Sequence, residues 1–491
     1  MKKSLILLLA LLMTVAPAAT GCGSGQEEVP SDTVQTEPAE TEEEDTAWHA
    51  FDNLPEQDWG GRTYTILARD YEANQFFSAE LTGETFNDSI YERNSLVCDQ
   101  YNISIEVPTC DGSWSNIDTY IGNIRSSIQA GDGAWDLVDG YAAVIGTLVM
   151  EGCYYRLNDV PYLEPSEKWW SVSAVEDLSI KGNVYLTPGD LTMSLYDNIF
   201  ALFFNQEIFE EYSLEDPYTL VNEGKWTFDK YKEIAATCQV DLNGDGKFNE
   251  NDKYGIILIE DLDLNNFHYA FQIPITVKDE EGYPVLNLGT EAVANLVDEM
   301  KTLASKTAGV YFAKDKADMG MEMFKAGQSA IVHALLSKTS LFRDMEDNFG
   351  ILPYPKFDEN QENYVSMDWG GLMAVPTTIS NPELVGAVLE LLAYESGDTV
   401  IPAYYDVLLA GKLSRDEDSR NMIDILFDTI AYDVGMNYFG FTAGCNDLLY
   451  AVNKLVIQGN SVDYASYYAK YEKQAVQAID KLYTALEKVE G

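Results

Sequence analysis

The sequence predicts an α/β protein, and three observations carry that reading. Residues 63–68 (TYTILA) alternate apolar and polar side chains as a strand does, Thr85–Tyr101 reads as a helix, and residues 103–107 (ISIEV) form a second short strand. Strand, helix and strand within about fifty residues mark a layered α/β unit. Strand-like runs return at residues 135–138 (WDLV), 254–259, 330–335, 350–355 and 371–376, with helical stretches between several of them. Of the 491 residues, about 440 follow the N-terminal leader and tether, enough to split a large core over two or more lobes.

The N-terminus reads as an address. Met1-Lys2-Lys3 gives a positive start, residues 5–15 are a short apolar run, and Ala19-Thr20-Gly21 places small residues directly before Cys22. This is a secretory signal peptide (residues 1–21) with a lipoprotein-type cleavage site. The apolar run is too short to span a bilayer, so cleavage is expected, with Cys22 as the lipid-modified mature N-terminus. Residues 26–47 then hold nine Asp or Glu and no Lys or Arg. So charged a stretch cannot bury enough apolar surface to fold, and residues 22–50 are expected to be a solvated tether for a domain spanning 51–491 on the outer face of a membrane.

Composition narrows the chemistry. The chain is 46% hydrophobic and 12% aromatic, and its 81 acidic against 31 basic residues give a formal net charge of −50. Such a surface repels phosphate backbones and anionic headgroups, which argues against nucleic acid and against membrane contact other than through the lipid anchor. Cys98, Cys110, Cys153, Cys238 and Cys445 are odd in number and widely spaced, and His49, His268 and His333 are scattered. Neither a disulfide framework nor a zinc site is suggested. G-x-S-x-G, Walker A and Rossmann patterns are absent, and Gly327-Gln328-Ser329-Ala330 lacks the second glycine of a nucleophile elbow.

Further along, Val293, Leu296, Val297, Met300 and Leu303 fall on one helical face behind Thr290 as N-cap, and Asn381-Pro382 opens another helix with Leu384, Val388, Leu391 and Leu392. Between them and the first unit, residues 241–252 (DLNGDGKFNEND) have the spacing of a twelve-residue calcium loop. Asp241, Asn243 and Asp245 occupy positions one, three and five, Gly246 allows the turn at six, Lys247 offers its carbonyl at seven, Asn249 stands at nine and Asp252 closes at twelve. A single loop of this kind in a secreted chain reads as a structural clip.

Six segments in a fixed order carry a family resemblance. They are residues 135–159 (WDLVDGYAAVIGTLVMEGCYYRLND), 181–212, 224–235 (GKWTFDKYKEIA), 323–334 (MFKAGQSAIVHA), 349–364 (FGILPYPKFDENQENY) and 370–383 (GGLMAVPTTISNPE). In these the chain resembles the extracellular solute-binding proteins of ABC importers, of the maltodextrin type (family 1) found as lipoproteins in Gram-positive bacteria. The resemblance implies a two-lobe, periplasmic-binding-protein-like class II fold with an interlobe cleft and a crossover hinge. Lobe one would hold roughly residues 51–160 and 371–412, and lobe two 161–370 and 413–491. It also implies a monomeric, non-enzymatic receptor that closes on its ligand and passes it to a permease.

Sugar recognition needs flat aromatic faces together with carboxylates or amides for the hydroxyls. The candidates are Asp139 and Tyr141 after the WDLV strand, Trp169-Trp170, Asp190 in a TPGD turn, and Asp368-Trp369 before the lobe crossover. The expected function is delivery of an oligosaccharide to an import permease, against the alternatives of a surface glycoside hydrolase or a binding-only adhesin.

Overall fold

The computed structural model describes residues 53–259, 261–305, 307–313, 316–409, 417–439, 442, 444–459 and 462–490. The signal peptide, Cys22, the tether and the expected lobe boundary at residue 412 lie outside them. The predicted strands and helices are present, with Thr85–Tyr101 helical over the expected span. Asn381 caps its helix by accepting from the Leu384 amide at 3.2 Å. Thr290 stands at the N-cap of Glu291–Leu303, but its side chain makes no capping bond.

Two five-stranded sheets organise the chain. In the first, β1 (Arg62–Arg69) pairs in parallel with β2 (Ile103–Glu106), β3 (Thr109–Cys110) and β4 (Leu137–Tyr141), while β13 (Gly371–Ala374) returns antiparallel to β4. In the second, the order is β11 (Phe349–Leu352), β5 (Phe200–Asn205), β10 (Ser329–Leu335), β6 (Tyr254–Leu258) and β9 (Val310–Phe312), with β5 antiparallel to both neighbours. A hairpin of β7 (Thr276–Lys278) and β8 (Pro284–Leu286) and a short pair of β12 (Ser366–Met367) with β14 (Ile430–Ala431) complete the pairing. All six residues of β5 (FALFFN) are buried. That continuous apolar run reflects a strand covered on both faces.

The lobes are joined where the chain crosses between the sheets. Thr187 and Met373 exchange backbone hydrogen bonds of 3.2 and 3.0 Å, and the Trp369 amide donates to the Asn198 carbonyl at 3.0 Å. The two crossovers thus run side by side, pinned where Gly371 N donates to Ser194 Oγ at 3.0 Å. A Cβ at Gly370 would lie 2.3 Å from the Ser194 carbonyl oxygen, so the close approach requires glycine there. Helix Pro382–Glu395 packs on Thr85–Tyr101 beside the first sheet, and the long C-terminal helix Tyr464–Glu490 packs on β8, on Glu291–Leu303 and on the turn Gly146–Glu151.

The five cysteines among the described residues are free thiols, three of them buried. Trp226 is buried with its indole donating to the Pro353 carbonyl at 2.9 Å. Trp169 and Trp170 are buried too, and both indoles converge on Glu390 at 3.0 and 2.8 Å. All three are packed inside the fold, so Trp169 and Trp170, candidates for a ligand surface from sequence, are core residues held by Glu390 instead.

Candidate functional site

In open α/β sheets, ligands bind beyond the C-terminal ends of the parallel strands, where the chain leaves the sheet and backbone and side chains are free to point at a guest. In the first lobe those ends are Arg69, Cys110 and Tyr141; in the second they lie after Leu258, Phe312 and Leu335. A cavity of about 410 Å³ sits between the two edges. Tyr71, Glu72, Asn74, Gln75 and Phe86 line it from the first lobe, Asp197, Asn198, Ser337, Thr339, Ser340 and Arg343 from the second, and Tyr404 from the helix Ile401–Leu408. A larger cavity, about 590 Å³, is bounded by Phe204, Phe209, Tyr218 and Phe349. It belongs to the second lobe alone, at the end of β5 that faces away from the crossovers, so the smaller interlobe cleft is the candidate site.

Arg69 organises the first-lobe wall. Its fully buried guanidinium donates from Nε to Asp139 Oδ2 at 3.2 Å, from Nη1 to Tyr71 Oη at 3.0 Å and from Nη2 to Glu72. It also lies 4.3 Å from the centroid of the Tyr141 ring and 5.4 Å from that of Tyr71. Room for it comes from two glycines. A Cβ at Gly371 would stand 2.7 Å from Nη2, and one at Gly112 would stand 2.3 Å from Cγ. Burial opposes its charge, but Asp139 and then Glu72 outweigh that and hold the group protonated. Burial drives the Glu72 carboxyl up to about 8 against the pull of Arg69, with Asp139 and Asp197 adding to the rise. Asp139 is raised in the same way, by burial against Arg69.

A second network links Tyr404, from the helix Ile401–Leu408 that packs on Thr85–Tyr101, to the opposite wall. Tyr404 donates to Asp197, Tyr196 donates to Asp190 Oδ1 at 2.7 Å, and the two tyrosine rings lie 6.3 Å apart. Burial raises Asp197 and lifts Asp190 to about 6.

The sequence-predicted residues are therefore spread over three places. Asp139 and Tyr141 come together around Arg69 at the cleft edge, with Asp139 fully buried. Asp190 stands one residue pair behind the cleft, on Tyr196. Asp368 is buried inside the crossover, accepting from the Gly370 amide at 2.9 Å and from Tyr432 at 3.2 Å, and Trp369 is half-buried beside Asn198. Arg69, Tyr71, Glu72, Asp197 and Tyr404 were not among the candidates. The readable signal for the first three was a charged and aromatic quartet, Arg69-Asp70-Tyr71-Glu72, directly after a predicted strand.

The 241–252 loop adopts a tight, internally bonded turn. Asp241 accepts the Gly244 and Gly246 amides, both at 2.7 Å, Asn243 accepts that of Asp245 at 2.9 Å, and Asp245 that of Lys247 at 2.8 Å. Asn249 accepts the Asn251 amide at 3.0 Å, and the buried Asp252 closes the loop on the Leu242 and Asn249 amides at 3.1 and 2.9 Å. Gly244 and Gly246 have φ of +71° and +75°, which the curvature requires. Among the described residues no three His, Cys, Asp or Glu side chains converge into an ion cage. The donor set nevertheless suits a hard cation, since a carboxylate oxygen that accepts one amide retains a second lone pair.

The fold has clear relatives. A cyclo/maltodextrin-binding protein complexed with maltotetraose superposes with a TM-score of 0.56 at 14% identity, over 86% of this chain and 97% of that one. UgpB from Mycobacterium tuberculosis in complex with glycerophosphocholine gives 0.56 at 15%, over 86% and 99%. The ABC substrate-binding protein Lmo0181 from Listeria monocytogenes in complex with cycloalternan gives 0.51 at 12%, over 88% and 100%. No curated protein sequence matches the chain. No described helix is long and apolar enough to cross a membrane. Residues 105–398, more than half of the chain and including β4, the crossovers and the cleft wall from Asp197 to Arg343, match the profile of the bacterial extracellular solute-binding proteins, and the chain belongs to that family.

Proposed function

We propose that the protein is a lipid-anchored receptor that captures a neutral oligosaccharide in the interlobe cleft and delivers it to the permease of an ABC importer. One observation carries the choice of ligand class. The cleft walls combine the aromatic faces of Tyr71, Phe86 and Tyr404 with amide and hydroxyl groups from Asn74, Asn198, Ser337, Thr339 and Ser340; their acidic groups, Glu72 and Asp197, are bonded to Arg69 and Tyr404, Arg343 donates to the Val407 carbonyl, and Arg69 is already consumed by protein partners. Flat apolar faces beside uncharged hydrogen-bonding groups suit pyranose rings. Closure would bend the crossovers around residues 187–199 and 368–373, and Cys22 would hold the receptor at the outer membrane face through the acidic tether.

Thermal-shift titration of the protein lacking residues 1–22 tests this against mono- and oligosaccharides, with glycerophosphocholine and peptides as controls. The right sugar at a hundredfold excess over its dissociation constant should add about 2.7 kcal/mol of stability, because it binds only the folded chain. A panel in which peptides or glycerophosphocholine shift the melt and sugars do not would overturn the carbohydrate assignment. Release of sugar from a polysaccharide would indicate a hydrolase with paired carboxylates instead.

The 241–252 loop is part of the same proposal, as a calcium clip that ties helix Phe228–Thr237 to β6. Calcium should raise the melting temperature of the ligand-free protein relative to excess EDTA, and Asp241→Ala should abolish the difference. Identical melts in calcium and EDTA would remove calcium from the account.

A further inference from the structure

We infer that ligand capture in the interlobe cleft is linked to a proton on the carboxyl pair Glu72 and Asp197, which stand on its opposite walls. The bound receptor keeps a proton that the free receptor gives up in alkali, so affinity falls as pH rises. This rests on the carbohydrate reading above, because a neutral ligand brings no charge of its own to the pair.

Acids outnumber bases at the cleft floor. Glu72 lines the cavity from the first lobe and Asp197 from the second. Behind them, two consecutive glycines of the crossover make room for two more carboxyls. A Cβ at Gly371 would stand 2.3 Å from Asp139 Oδ1, and one at Gly370 would stand 2.9 Å from Asp368 Oδ2. Arg69 is buried among them, bonded to Glu72, Asp139 and Tyr71 and lying against the Tyr141 ring. Asp368 is held by Tyr432 and the Gly370 amide. On the far wall Asp197 accepts from Tyr404 and is drawn down by Lys338, while Arg343 donates to the Val407 carbonyl. One buried guanidinium therefore serves a group of four carboxyls.

Full ionisation of that group is costly, because burial disfavours each charge and the carboxylates repel one another. Burial lifts Glu72, Arg69 pulls it back, and Asp139 and Asp197 add to the rise, leaving it at about 8. Burial raises Asp197 and Asp368 as well. A sugar that fills the cavity displaces the water still solvating Glu72 and Asp197, and closure brings their walls together. Both changes work against the doubly ionised pair, and a proton is the counter-charge at hand. Arg69 occupies Glu72 Oε2, so Oε1 has no protein partner among the described residues. Protonated there, Glu72 becomes a hydrogen-bond donor at the cavity wall, suited to a sugar oxygen.

The sign is set by a bound-state value higher than the free one. Below both values the proton is present in either state and affinity is level; between them, binding takes up a proton and affinity falls as pH rises. With a free value of about 8 and a rise of about one unit on binding, affinity should be about fivefold lower at pH 9 than at pH 7. About half a proton should be taken up at pH 8.5.

Isothermal titration calorimetry on the mature chain, in buffers of different ionisation enthalpy, counts these protons directly. Maltotetraose is the first probe, followed by the other sugars of the melting panel. Wild type should show the uptake near pH 8.5 and the fivefold fall. Glu72→Gln is neutral at every pH and keeps an oxygen for Arg69, so its binding should take up no proton and stay level from pH 7 to 9. Asp197→Asn removes the facing charge and should leave less uptake than wild type. The wild-type proton count decides the matter even where a variant folds poorly. No proton exchange in wild type, or proton release with affinity rising with pH, would overturn the linkage while sparing the cleft. Full uptake that survives both substitutions would overturn it too. Binding of no carbohydrate at any pH would bring down the carbohydrate reading itself.

Discussion

Arg69→Met should be among the most destabilising single substitutions in the chain, costing about 3–5 kcal/mol. Methionine fills much of the arginine stem's volume, so little of that loss comes from a cavity. The loss comes from the partners left behind: Asp139, which is fully buried, Glu72, which is 7% exposed, and the hydroxyl of Tyr71. Without the guanidinium, both carboxyls must either remain charged in a low-dielectric interior or hold a proton. The deficit should therefore be smaller at acid pH, where both are neutral, and larger above pH 7. Arg69→Lys keeps the charge but cannot fork to three acceptors, and should recover only part of the stability. Ligand affinity should fall with it, since Tyr71 and Tyr141 lose the group that fixes them. Urea denaturation at two pH values measures the effect. Curves for Arg69→Met that overlay those of wild type would show that the buried cluster contributes nothing net.

The same cluster marks where sequence reasoning reaches its limit. Local pattern located β1, the helix Thr85–Tyr101 and the apolar β5, because period and burial are written into consecutive residues. It also put Asp139 and Tyr141 at a strand end, where the structure has them beside Arg69. Arg69 carries no local sign of its role, because a charged residue after a strand normally faces water. Here it is buried only because Gly112 and Gly371, from distant segments, make room for it. Asp368 was chosen for its place at a crossover, yet the crossover strands pair with Ile199 and turn its carboxyl inward onto Gly370 and Tyr432. The second wall, from Ser337 to Arg343, and the approach of Tyr404 to Asp197 depend on how the lobes meet, and no window of sequence contains that information.

Stability should decline as pH rises from about 5.5 to 8, by on the order of a few kcal/mol. Among the carboxyls that burial lifts, Asp190 and Asp433 rise to about 6, Glu390 to about 7 and Glu72 to about 8. Their hydrogen bonds, including both indoles on Glu390 and Thr276 with the Ile275 and Gly435 amides on Asp433, favour the ionised form but do not overcome desolvation. Between the unfolded values near 4 and these folded values, the native chain holds protons that the unfolded chain has released. Unfolding then releases protons, so each such group stabilises the fold at low pH and loses that contribution as pH rises through its folded value. Two groups act in the opposite sense. His268 and His333 are buried and depressed to about 4 and about 3, so the unfolded chain takes up protons there below about pH 6.5. They oppose the carboxyls in the acid half of the window and fall silent above it, where Glu390 and Glu72 still titrate. Self-repulsion of a chain with formal charge −50 grows in the same direction as the carboxyl term. Glu390→Gln should lower stability at every pH, because one indole or the Glu164 amide loses its acceptor, and should flatten the slope below pH 7. Chemical denaturation at half-unit pH steps reads both effects, and a wild-type curve that is flat or rising across the window would contradict the assignment of buried, protonated carboxyls.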